Sequence, residues 1–174
     1  MEAHHQQAQQ VMAEFFSHGC RLSGTYDARQ KSLGDVIYDT TNSYLIVESA
    51  YISPIERPAE ILANYPSVTL IKAELTFALA MHENDALRRD QKYGSYLGPK
   101  LTPVFLTVPF FTLNGYLRLP GRVDPRVLLS SQTESFLTLL DVTAHITNRP
   151  EINYQGAAAL INKTKISFLG IDTI

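Results

Sequence analysis

Arg118, Arg122 and Arg126 gather around the Leu119-Pro120-Gly121 turn. A guanidinium is a planar fork of donors, and several of them beside a backbone turn can hold a phosphate or a carboxylate. These three are therefore the candidate ligand-binding residues, for a small anion or a nucleotide. The same side chains can equally satisfy carboxylates and carbonyls of their own chain. Glu48 and Asp141 are a second candidate group. They fall at nearly equivalent places in two predicted strands, and carboxylates brought together there would shift each other's pKa in the manner of an acid/base pair.

Other chemistry finds less support. His4 and His5 are adjacent, while His18, His82 and His145 stand alone, so no metal site is expected. Cys20 is the single cysteine, which leaves no intramolecular disulfide and reads as a buried structural thiol. The glycines form neither GxxxxGK nor GxGxxG, and there is no GxSxG or HExxH. No catalytic residue and no cofactor is assigned. The chain reads as a non-catalytic binding or assembly module, expected to work as a homo-oligomer subunit or with a protein partner.

The formal charge of −2 gives no global attraction to nucleic acid or an anionic membrane. Tyr93 and Tyr96 beside Arg88, Arg89 and Lys92 make the best base-stacking, phosphate-gripping stretch, but Asp85 and Asp90 offset its charge. Nucleic-acid binding is thus the second alternative, after anion or nucleotide sensing. No stretch approaches the ~18 to 20 apolar residues that span a bilayer. The first ten residues lack the features of a signal peptide. No membrane insertion and a cytoplasmic location are the resulting expectations.

The elements that would position these residues come from periodicity. Residues 1–18 contain no Gly or Pro, are rich in Ala, Gln and Glu, and put Ala8, Val11, Met12, Phe15 and Phe16 at helical spacing. They are predicted to form an amphipathic helix stopped by Gly19, with the last four of those side chains as an interaction face. Strands are predicted at Arg21–Asp27, Tyr44–Ile52, Ile71–Leu79, Val104–Thr112, Phe136–Ile146 and Leu160–Leu169, by alternation of apolar positions. Ser32 with Asp35, and Asp124 with Pro125, read as helix starts.

The chain also repeats itself. Arg21-Leu22-Ser23-Gly24-Thr25-Tyr26-Asp27 is echoed by Arg118-Leu119-Pro120-Gly121-Arg122-Val123-Asp124. Lys72-Ala73-Glu74-Leu75-Thr76-Phe77 is echoed by Lys163-Thr164-Lys165-Ile166-Ser167-Phe168. Two units, 19–80 and 104–174, joined by a charged linker at 81–103, follow from this. A unit of ~60 residues buries too little surface to stand comfortably alone, so the two should share a core. The expected fold is α+β and β-rich: two tandem β-turn/helix-β-β units forming a pseudo-twofold sheet or small barrel, with an N-terminal helix outside. At 174 residues, 45% hydrophobic and 18% charged, the chain is suited to one ordered domain.

Overall fold

The computed structural model describes residues 10–28, 31–89, 91, 100–119, 121–122, 124–130 and 134–172. The strands are β1 (Gln10–Ser17), β2 (Cys20–Asp27), β3 (Tyr44–Pro54), β4 (Ala63–Ile71), β5 (Phe77–Ala80), β6 (Lys100–Val108), β7 (Phe111–Leu119), β8 (Phe136–Ile146), β9 (Arg149–Asn162) and β10 (Phe168–Ile171). The helices are short: α1 (Leu33–Tyr38), α2 (Glu83–Ala86) and α3 (Pro125–Leu128), with 3-10 turns at Lys72–Glu74 and Lys163–Lys165. All ten strands lie in one sheet in the order β10-β6-β7-β8-β9-β5-β1-β2-β3-β4. Neighbours are antiparallel throughout, including the central pair β9 and β5. The sheet does not close, so the barrel alternative is set aside; β10 and β4 are its two edges.

Side chains alternate across a strand, and both faces of this sheet carry a core. Ala13, Phe15, Ala78, Ala80 and Leu160 enter one hydrophobic cluster with Leu33 and Ile37 of α1. The residues between them, Phe16, Phe77, Leu79, Ala159 and Ile161, enter a second cluster, against which Leu128 of α3 packs. The two clusters lie on opposite faces because the strands of the second block run reversed. Block β10-β6-β7-β8-β9 has the same lateral order as β5-β1-β2-β3-β4, yet meets it through an antiparallel pair. Keeping lateral order while reversing strand direction exchanges the faces.

That arrangement corrects the N-terminal prediction. Gln10–Ser17 is a strand, not a helix, and residues 1–9 lie outside the described residues. Phe15 and Phe16 are each 1% exposed, and consecutive side chains reach two opposite cores only from a strand. Pairing with β2 and β5 outweighs the helix propensity of the Ala, Gln and Glu residues. Gly19 stops no helix: His18 and Gly19, with φ of 49° and 76°, form the two-residue turn between β1 and β2.

Two further corrections concern punctuation. Ile71–Leu79 and Leu160–Leu169 each break at a 3-10 turn, so one predicted strand becomes two that pair with different neighbours. Val104–Thr112 turns back at Pro109-Phe110 and supplies the end of β6 and the start of β7. The first sequence echo also falls out of register: Arg21–Asp27 lies within β2, whereas Arg118–Asp124 runs out of β7 towards α3. Both predicted helix starts are present. Ser32 and Asp35 form a reciprocal capping box, and the Asp124 side chain accepts from the Arg126 amide with Pro125 at the first helical position.

Two buried phenols tie the folding to pH. Burial, aided by the nearby Asp85 carboxylate, pushes the Tyr26 pKa far above its usual 10. Burial also raises that of Tyr154, against the pull of the Arg21 guanidinium. A phenol whose pKa is raised on folding stabilises the protein fully below pH 10 and loses that contribution as pH climbs towards the folded value. Stability is therefore expected to decline above about pH 10. Near-ultraviolet titration checks this: Tyr26→Phe should move the alkaline transition upward, and an unchanged transition would refute the assignment.

Candidate functional site

The residues that join the two halves surround a cleft of about 660 Å³. The end of α1 and the first 3-10 turn form one wall, and Glu134, Phe136 and Asn162 form the other. Lys72 lies almost wholly buried, its ammonium donating to the Asp39 carbonyl at 2.8 Å. Burial lowers its pKa, partly offset by the Asp39 charge. This lysine acts in the opposite sense to the tyrosines: its stabilising contribution grows as pH rises towards 10.5. The exposed Asp39 carboxylate is held below its usual range by the Thr41 hydroxyl and amide, at 2.6 and 2.9 Å.

Across the cleft, Arg88 pairs with Glu134 at 2.6 Å and lies over the Tyr38 ring, 4.4 Å from its centroid. The Tyr38 hydroxyl reaches β8, donating to the Phe136 carbonyl at 3.1 Å and lying 2.9 Å from Thr138 Oγ1. Asn162 is 4% exposed; its amide donates to the Leu75 carbonyl at 2.9 Å while its oxygen accepts from the Thr164 amide at 3.1 Å. These polar groups serve one another and fasten the halves. Asn162→Ala leaves the buried Leu75 carbonyl without that donor and is expected to cost about 1–3 kcal/mol, read by urea denaturation. A loss below ~0.5 kcal/mol would show that the clamp is not needed.

Two of the three candidate arginines have carboxylate partners within the chain. Arg118 on β7 pairs with Glu83 of α2 at 2.7 Å. Arg126 is exposed and chelated by its own helix cap, Asp124, at 2.8 Å. Arg122 is exposed on the turn before α3. An anion bound by all three would have to displace two carboxylates of the chain. Glu48 and Asp141 sit on β3 and β8, five strand intervals apart, or roughly 24 Å at the usual interstrand spacing. They do not form a dyad; Glu48 instead accepts from the Gln10 side-chain amide at 2.7 Å.

Of the predicted interaction residues, Phe15 and Phe16 belong to the cores, Val11 packs partly against the first, and Met12 is exposed. Tyr93, Tyr96 and Lys92 lie outside the described residues, and part of the predicted linker is docked: Ala86 and Leu87 are buried. Among the described residues, no three His, Cys, Asp or Glu side chains group to hold a metal ion, and no helix is long and apolar enough to cross a membrane.

What sequence reasoning missed are the edges. Among the described residues β4 and β10 each pair on one side only; neither contains a charged residue, and both expose apolar side chains: Tyr65 and Ile71 on β4, Phe168 on β10. An alternating apolar segment reads alike at an edge and at the centre of a sheet, so only strand order could single these two out. No protein-family model, curated protein or solved structure matches the chain.

Proposed function

We propose that this chain is a non-catalytic assembly module, a homo-oligomer subunit made of two copies of one β-β-α-β-β-β unit. The duplication is supported by local bonds that recur with both partners 91 positions further along. Lys72 Nζ to the Asp39 carbonyl recurs as Lys163 Nζ to the Ser130 carbonyl. The Thr76 amide to the Phe16 carbonyl recurs as the Ser167 amide to the Thr107 carbonyl. Gly24 and Gly115 sit at matching irregularities in strand pairing, where β2 meets β3 and β7 meets β8. The order strand, strand, helix, strand, strand, 3-10 turn, strand runs from β1 to β5 and again from β6 to β10.

The observation that carries the assembly reading is the pair of open, uncharged, partly apolar edges. Natural sheets usually blunt an edge with charge, proline, a bulge or a covering segment, because unpaired amides and carbonyls template further pairing. Here charge is missing from both edge strands. Light scattering coupled to size exclusion, across micromolar concentrations, tests the reading. A mass above the 19.5 kDa of one chain is expected. A single-chain mass at every concentration would contradict it.

A further inference from the structure

We infer that copies of this chain join head to tail, the β4 edge of one pairing antiparallel with the β10 edge of the next. The inference rests on the assembly reading and specifies its surface. The internal junction of β9 with β5 is the template, since by position in their blocks β4 corresponds to β9 and β10 to β5. At that junction Ile161, Leu160, Ala159 and Ala158 face Phe77, Ala78, Leu79 and Ala80. The same register between copies sets Leu70, Thr69, Val68 and Ser67 opposite Phe168, Leu169, Gly170 and Ile171.

The free backbone groups point the right way. The Lys72 amide donates to the Ser43 carbonyl beside β3, so by alternation along an antiparallel ladder the amides of Leu70 and Val68 also face β3. Those of Ile71, Thr69 and Ser67 face outward. Pro66 shares the phase of Val68, so its missing donor is on the β3 side and does not blunt the edge. The Asp172 amide donates to the Pro103 carbonyl of β6, which leaves the amides of Leu169 and Ile171 facing outward. The internal junction has the same phase, with the Asn162 amide donating to the Thr76 carbonyl at 3.0 Å.

Side chains agree with the backbone. Phe77 is 0% exposed because its ring enters the cluster belonging to the other block, where it stacks on Phe16 with centroids 4.4 Å apart. Its counterpart Phe168 is 72% exposed, and in the next copy would lie beside Leu70 at the rim of the first cluster. Two differences make the junction between copies weaker than the internal one. Ile71 replaces the clamping Asn162. Tyr65 stands where β9 has Gly156, whose added Cβ would lie 3.0 Å from the Ala80 carbonyl oxygen, so the ladder between copies ends at Ser67. The two surfaces differ, hence each added copy presents a fresh β4 and a fresh β10 edge, and growth stops only if a ring closes.

Two edge-blocked variants test this, each removing one outward amide: Thr69→Pro on β4 and Leu169→Pro on β10. Circular dichroism checks their folding and light scattering their mass. Each alone is expected to be monomeric, and an equimolar mixture to form a species of two chains and nothing larger, because each supplies the edge the other lacks. Self-association of either variant alone, with nothing gained on mixing, would mean like edges pair, and head-to-tail joining falls while assembly stands. Wild-type association in both variants likewise overturns the inference alone. A wild-type chain that is monomeric throughout overturns both. If proline prevents folding, Phe168→Asp, which leaves every backbone donor in place, decides: lost association supports the inference and wild-type association overturns it.

Discussion

Phe77→Ala is expected to lower the unfolding free energy by about 3–5 kcal/mol. The ring is fully buried, stacked on Phe16 and edge-on to Phe111 at 5.0 Å. It is one of the few large side chains that one block places in the core of the other, so its loss opens a cavity where the two blocks join. Domains of this size are stable by only about 5–15 kcal/mol, and the variant should therefore melt far below the wild type. Phe168→Ala, at the matching but exposed position, is expected to stay within ~0.5 kcal/mol under dilute, monomeric conditions. Urea titrations followed by circular dichroism measure both. Similar losses for the two, or a loss under ~1 kcal/mol for Phe77→Ala, would contradict the packing described.

Gly34→Ala is the second large effect, and its sign opposes the usual rule. Within a helix this change ordinarily gains about 1 kcal/mol by restricting the unfolded chain and improving propensity. At Gly34, however, a Cβ would lie 2.1 Å from the Ala86 carbonyl oxygen and 3.0 Å from the Arg88 amide nitrogen. Both are backbone atoms, so neither can swing aside as a flexible side chain would. Residues 86–88 must lift from α1, disturbing the buried Leu87 and the Arg88 pair with Glu134. Overpacking of this kind costs about 1–3 kcal/mol, and more when backbone moves. A net destabilisation of about 2 kcal/mol is therefore expected in thermal or urea unfolding. A stabilised variant would show that α1 does not rest on that segment.

Much of the architecture was legible because local rules and tertiary context agree. Phe136–Ile146 alternates and is a strand, Ser32 with Asp35 caps a helix, and Asp124 with Pro125 opens another. Reading failed where two faces must be cored at once. Phe15 and Phe16 at i and i+1 resemble half of a helical face, and only the second core on the reverse of the sheet makes a strand of them. The Arg118–Asp124 echo misled because short strings of Arg, Leu, Gly and Asp recur by chance, whereas the 91-residue interval of the Lys72–Phe77 and Lys163–Phe168 echo recurs in backbone bonding. That the arginines could satisfy carboxylates of their own chain was legible, but the particular partner Glu83 was not, since it is distant in sequence from Arg118. Edge position is a property of strand order, which no single segment encodes.

Amide hydrogen exchange can show directly whether β4 and β10 are surfaces for copies of this chain. On concentrating the protein, the outward amides of Ser67, Thr69, Ile71, Leu169 and Ile171 should become protected together. Those of Val68 and Leu70, already turned to β3, should change little. Dilution should reverse the protection. If these outward amides exchange as freely at high concentration as at low, the edges remain open to water and copies do not join through them.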